Sequence, residues 1–196
     1  GVHVAEVFSP PRYCKEAGSL RLRAGFSVDL SENKPNGEPW DLSEDDDILE
    51  LETVQEGEDP FPLVGSPPCE VFSRMWSISK HNRDPARNRR ARAFGEKHFR
   101  TCLAACRRQM DRGRYFLHEQ PLGANSWKLA EAVEFAKDPR VCFVKGLMCR
   151  LDMQPEDEHG WGHVRKYTGW WTNSPVLARL LEGVCSNITG EREWHR

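Results

Sequence analysis

The residue with the strongest claim to chemistry is Cys69, in the run Gly65-Ser66-Pro67-Pro68-Cys69-Glu70-Val71-Phe72-Ser73. It follows an apolar strand and two prolines and precedes the expected start of a helix. Backbone N–H groups and the helix dipole would stabilise its thiolate there. The prolines fix the loop, and with it the direction of the sulfur. The plain alternative is a buried structural cysteine, the commonest setting of this residue type. Glu119, in Tyr115-Phe116-Leu117-His118-Glu119-Gln120-Pro121, is a carboxylate set after another apolar strand. Asp29, near the end of Phe26–Leu30, stands where nucleotide-binding folds use a carboxylate to bond ribose hydroxyls.

Two further groups invite chemistry. His159 and His163 have three residues between them, with Cys142 and Cys149 upstream. Six residues between the cysteines do not suit a zinc knuckle, so no metal is expected. Trp161, Trp170 and Trp171, with Lys166, could stack on bases beside phosphate contacts, or serve as core and cover. Arg87, Arg89, Arg90 and Arg92 could hold phosphates. They could equally form a solvated helix face neutralised elsewhere in the chain.

The elements that must position these residues alternate. Strands are expected at Val2–Phe8, Phe26–Leu30, Phe61–Gly65, Tyr115–His118 and Val141–Leu147, where short apolar runs end in turn residues. Helices are expected over about 43–54, with Ser43 and Asp46 as a capping box, and over about 86–112. On the second of these Phe99, Cys102, Leu103, Cys106 and Met110 recur at three- and four-residue steps. Leu129–Lys137 and Val176–Val184 read as two more helices, the last led by Ser174-Pro175. This alternation gives an α/β fold, a mostly parallel sheet with helices on both faces. Ligands collect at the carboxyl ends of strands in such sheets, and Ser9-Pro10-Pro11, Ser66-Pro67-Pro68 and Glu119-Gln120-Pro121 all sit there.

A length of 196 residues suits one domain, 1–196. No apolar run reaches the roughly 18 residues of a membrane helix, so no membrane partner is expected. Seven scattered cysteines argue for reduced thiols and an intracellular setting, nuclear if the source is eukaryotic. In that setting the acceptor-like Asn187-Ile188-Thr189 would not be glycosylated. The first residue is glycine, which fits a processed or excised piece. The net charge of −2 conceals a separation: ten acidic and no basic residues lie between Asp41 and Asp59. Between Arg74 and Arg114 there are thirteen basic residues against three acidic ones. Such a basic stretch suits a nucleic-acid backbone whatever the overall sign.

The loop from Gly65 to Ser73 resembles the Gly-Gly-Pro-Pro-Cys-Gln-x-Phe-Ser catalytic loop of the DNA cytosine-5 methyltransferases, in residue type, spacing and strand-to-helix context. The resemblance implies a Rossmann-like methyltransferase fold, S-adenosylmethionine as cofactor and DNA as partner, with RNA left open. It makes Cys69 the nucleophile that adds to C6 of a flipped-out cytosine, so that C5 can accept a methyl group. Glu119 would stand for the glutamate of the family's Glu-Asn-Val, bonding the base edge at N3, although Gln120 and Pro121 replace the other two residues. Phe8, Asp29, Asp41, Pro67 and Asn173 would line the cofactor site. Asp41 lies in a Trp40-Asp41-Leu42 segment similar to the family's Gly-Asp-Ile, and Asn173 precedes Ser174-Pro175-Val176 much as in its Gly-Asn-Ser-Val-Pro. Ser73 would join the arginines at the nucleic acid.

Three departures stand out. Phe8-Ser9-Pro10-Pro11 replaces the family's Phe-x-Gly-x-Gly turn. The Gln-x-Arg-x-Arg strand is not evident, Arg150 being the only nearby candidate. About fifty residues separate Glu119 from Asn173, too few for the usual target-recognition domain. Other wording, such as His118-Glu119-x-Pro121, is similar to methyltransferase-like segments of retroelement polyproteins, whose other segments would then be partners. Two alternatives follow. One is an amino-group methyltransferase using Ser66-Pro67-Pro68, though Cys69 stands where that family has a stacking aromatic. The other is a degenerate methyltransferase fold that only binds nucleic acid.

Overall fold

In the computed structural model, residues 1–79, 83–151, 153, 156–157, 160–162, 164 and 166–183 are described. Strands β1 (Val4–Val7), β2 (Ala24–Val28), β3 (Pro62–Gly65) and β4 (Tyr115–Pro121) run parallel to one another. β5 (Cys142–Leu147) lies at the far edge, beyond β8 (Tyr167–Thr172), which is antiparallel to both β4 and β5. The order across the six-stranded sheet is β2-β1-β3-β4-β8-β5. Glu156–Asp157 (β6) and Gly160–Trp161 (β7) form a separate two-stranded hairpin.

The strand patterns follow from two-sided burial. All four residues of β1 are buried, as expected of a strand covered on both faces. Residues along β4 alternate: Phe116 packs toward one face and Leu117 toward the other. The first face is covered by α2 (Asp45–Glu58), α4 (Pro85–Asp111) and α5 (Ala130–Phe135). The second carries α1 (Tyr13–Ala17) and α6 (Pro175–Leu181). α3 (Arg74–Ser79) follows the 3-10 turn Glu70–Phe72 after β3. Winding leaves β1 toward β2 on one side and returns to β3 on the other, so the switch point lies between β1 and β3.

The long helix forms where its periodicity places it. Asp84 accepts from the N–H groups of Ala86 and Arg87, Pro85 opens the first turn, and Phe99, Cys102, Leu103, Cys106 and Met110 are buried. The expected capping box at Ser43 is not made. Glu44 takes the cap position without a side-chain bond, because Asp41 holds the Ser43 hydroxyl and N–H instead. The expected strand at Phe26–Leu30 begins and ends two residues earlier.

β8 carries no expectation from sequence, and it decides between the two readings of the tryptophans. Trp170 and Trp171 are both buried, one on each face. Trp171 packs with His118, Trp127 and Phe135 at ring separations of 5.6, 4.6 and 5.3 Å. Truncating such a side chain costs about 3–5 kcal/mol, so these indoles are core and not base-stacking platforms. Trp161 is exposed, on β7.

The charge separation is partly an internal pairing. α2 lies against the second half of α4 through Asp45–Lys97 (2.6 Å), Glu52–Arg108 (2.7 Å) and Asp59–Arg112 (3.1 Å), with Arg114 also on Asp59. Exposed pairs of this kind contribute only about 0–1 kcal/mol each. Hydrogen bonding from Arg114, and then Arg112, holds the Asp59 carboxyl down at about 2. A folded-state value below the unfolded value of about 3.9 gives stability that is present above that pH and lost as pH falls toward 2. Asp59→Asn is therefore expected to flatten the acid limb of a pH–stability profile between about pH 4 and 2. Asparagine tolerates the left-handed backbone there (φ 46°), which keeps the comparison to charge. An unchanged acid limb would remove the pairing from the account.

Candidate active site at the carboxyl edge of the sheet

The carboxyl ends of β1, β2, β3 and β4 bring together Phe8, Asp29, the Ser66–Cys69 loop and Glu119. A hollow of about 330 Å³ opens beside the switch point. Phe8, Asp29, Trp40, Asp41, Phe94 and His98 line it, with Ser66 and Pro68 from the loop. Both acids are fixed by turns: Asp29 Oδ1 accepts from Ser31 N (3.0 Å) and Oγ (2.7 Å), and Asp41 Oδ1 accepts from Ser43 N (2.9 Å) and Oγ (2.6 Å). The Ser43 hydroxyl and N–H hold the Asp41 carboxyl below its usual range. Among the described residues Oδ2 of each acid has no hydrogen-bond partner. His98 Nδ1 donates to the Phe94 carbonyl at 2.8 Å, and burial keeps the imidazole neutral, so Nε2 is an acceptor.

The turn after β1 is made without glycine. Phe8 itself adopts the left-handed conformation (φ 56°), a strained setting of about 1–2 kcal/mol for this residue type. Its ring meets His98 edge-on at 5.2 Å, so the strained residue also forms a wall of the hollow. The following helix, α1, receives the Glu6 carboxylate at its start, where Cys14 N–H donates to Glu6 Oε1 at 2.9 Å.

A second hollow, of about 600 Å³, lies on the other face, with Tyr13, Ser66, Leu117, Glu119, Lys166 and Trp170 among its walls. Ser66 lines both hollows, which makes the Cys69 loop the partition between them. Cys69 lines neither; it is half-buried, one residue past Pro68. Lys166 Nζ donates to Glu119 Oε1 at 3.1 Å, and both charges act on the Cys69 thiol. Gln120, fully buried, donates from Nε2 to the Pro67 carbonyl at 2.6 Å and accepts from Ser126 Oγ at 3.1 Å. The loop is thus tied to β4 by a side chain one residue from Glu119.

Several sequence expectations are corrected here. Pro67 is buried and turned to Gln120, and its neighbours Ser66 and Pro68 line the hollow beside the switch point instead. Asn173 lies at the opposite edge of the sheet, where its Oδ1 accepts from Phe116 N and its Nδ2 donates to Arg114 O. β8 runs antiparallel, so the residue after it falls beside the start of β4 and far from the carboxyl ends. Ser73 Oγ accepts from Trp76 N at 3.0 Å and caps α3, which leaves its O–H as a donor. Arg92 pairs with Glu96 at 2.6 Å and lies over the Phe72 ring at 5.0 Å. Arg87, Arg89 and Arg90 are exposed and make no ion pair among the described residues. Arg150 donates to the Leu180 carbonyl and serves α6. Of the imagined zinc group, Cys142 is exposed and Cys149 buried, while His159 and His163 lie outside the described residues.

The Cys69 thiol also differs from expectation. A 3-10 turn, not an α-helix, follows it, and burial raises its pKa above the ordinary value, with Lys166 pulling the other way and Glu119 adding to the rise. The resting thiol is therefore protonated at neutral pH. The rate of Cys69 alkylation, followed by peptide mapping, is expected to rise with a midpoint above that of a free thiol. Glu119→Gln should lower that midpoint and Lys166→Met should raise it. A midpoint that ignores both changes would dissociate the thiol from this pair. Sequence reading missed Lys166 as its partner, because Lys166, one residue before β8, reaches Glu119 only once β8 pairs with β4.

No family model matches this chain, and no curated protein matches its sequence.

Proposed function

We propose that the chain is a methyltransferase of Rossmann-like fold that moves a methyl group from S-adenosylmethionine to C5 of cytosine in DNA. The observation that carries this reading is the partition: the loop bearing Cys69 walls off a nucleoside-sized hollow from one holding Glu119 and Lys166. The first hollow suits the cofactor. Asp29 and Asp41 each keep an oxygen for ribose hydroxyls or an amino group, Phe8 and Trp40 supply apolar walls, and the His98 acceptor suits the exocyclic amine of adenine. Glu6 Oε1 accepts from the Cys14 N–H in the first turn of α1, so that backbone donor is taken where a dinucleotide's pyrophosphate would need it. A phosphate-free cofactor suits that edge better. S-adenosylmethionine supplies an electrophilic methyl group there.

The chain's own residues divide the remaining work. Cys69 loses its proton to solvent as its sulfur bonds C6 of cytosine and the C5–C6 double bond opens. After C5 takes the methyl group, loss of the C5 proton to solvent breaks the S–C6 bond and restores the ring. Glu119 bonds the N3 edge and favours protonation as C6 is attacked. Lys166 keeps the Glu119 side chain in place and lowers the cost of the thiolate. Arg87, Arg89 and Arg90, exposed at the start of α4, contact phosphates.

Calorimetry with S-adenosylmethionine tests the cofactor half. Saturable binding is expected, weakened about tenfold or more by Asp29→Ala, since one charge-assisted bond contributes about 1.5–3 kcal/mol. No binding at millimolar cofactor would leave the second reading, a degenerate fold that holds nucleic acid only. The strained, glycine-free turn at Phe8 and the half-buried, protonated thiol favour that second reading. With labelled cofactor, recovery of 5-methylcytosine supports the first reading. An N-methylated base would support an amino-group transferase.

A further inference from the structure

Away from the site just described, three soft donors meet in the core. Cys102 and Cys106 are one turn apart on α4, so both sulfurs project from the same face of the helix. That face packs on β4, where His118 points inward from the position before Glu119. The two sulfurs and a ring nitrogen of His118 lie within 4.8 Å of one another, and all three side chains are fully buried. Cys102 Sγ is 3.3 Å from His118 Nδ1. His118 Nε2 is buried without a hydrogen-bond partner, an open cost in a packed interior. Stacking on Trp171 and edge contacts with Phe99 and Trp127 hold the ring plane in place.

We propose that Cys102, Cys106 and His118 form a binding site for a thiophilic d10 metal ion, Zn2+ or Cu+, that staples α4 to β4 directly behind Glu119. Both ions take thiolate and imidazole ligands, and hard cations such as Mg2+ or Ca2+ find no oxygen donor in the group. Charge balance suits an apolar interior. Zn2+ displaces both thiol protons to solvent and leaves a neutral centre. Cu+ displaces one proton, keeps the second sulfur as a thiol, and also leaves a neutral centre. Three protein donors complete a trigonal Cu+ site and are one short of a closed zinc site, and no fourth thiol, imidazole or carboxylate joins them among the described residues.

The full chain, reduced and stripped with chelator, is titrated with Zn2+ and, under anaerobic reducing conditions, with Cu+. One equivalent per chain is expected from at least one ion, and competition between them identifies the preferred one. Binding should survive Cys69→Ser/Cys142→Ser and be lost in Cys102→Ala/Cys106→Ala. X-ray absorption on the wild-type protein gives the same answer without a core variant. Two sulfur scatterers, at about 2.3 Å for zinc, and one imidazole are expected. Failure of a folded wild-type chain to bind either ion, a sulfur-free shell, or binding retained by folded Cys102→Ala/Cys106→Ala would overturn the site.

Discussion

Replacing Cys69 by serine is expected to lower methyl transfer at least about 10³-fold while leaving cofactor affinity unchanged. A hydroxyl in the same place is a far weaker nucleophile than a thiolate, and loss of a covalent nucleophile removes most of the chemical step. Cys69 lines neither hollow and its neighbours Pro67 and Pro68 set the loop, so the exchange of sulfur for oxygen should change stability by no more than about 1 kcal/mol. Transfer assays with labelled cofactor, alongside thermal unfolding, separate the two effects. Undiminished transfer by a folded Cys69→Ser chain would remove Cys69 as nucleophile. Loss of activity accompanied by unfolding would instead mark it as a structural residue.

Glu119→Gln carries the next largest expected effect, a fall of about 10²–10⁴ in kcat, the usual contribution of a positioned acid or base. Glutamine can still bond the base edge, but it cannot exchange a proton with N3 or hold Lys166 as an ion pair across 3.1 Å. Because Glu119 and Asp29 lie in different hollows, their losses should separate. Glu119→Gln should leave the cofactor Kd unchanged, whereas Asp29→Ala should raise it. Equal changes in both parameters for both variants would mean that the two hollows act as one site, contrary to the partition.

Much of the frame is readable from residues alone. β1, β3, β5 and α4 follow from local runs and periodicity, and the Cys69 loop follows from its prolines and flanking strand. What the chain hides depends on pairing across the sheet. Tyr167–Thr172 is buried from Thr168 onward, so it lacks the polar–apolar alternation that marks a half-exposed strand. Its tryptophans consequently leave stacking and core both open in the sequence, and the pairing across the sheet makes Trp170 and Trp171 core. Asn173 is misplaced for the same reason, since only an antiparallel β8 carries it to the start of β4. Lys166 and Gln120 become visible once β8 lies beside β4 and β4 beside the loop. Ser73 shows a different ambiguity, because a serine before a short helix serves as well for a cap as for a phosphate contact. The buried group of Cys102, Cys106 and His118 is half visible as a helical sulfur pair; its imidazole arrives from another element.

The central claim is that Cys69 attacks cytosine. Its most direct test is trapping by a DNA duplex containing 5-fluorocytosine in the presence of S-adenosylmethionine. Fluorine at C5 blocks the elimination that would release the enzyme, so a covalent adduct should accumulate, survive denaturation, and map by peptide mass to Cys69. A wild-type chain that binds cofactor and duplex yet forms no adduct, or forms it on another cysteine, would contradict the account.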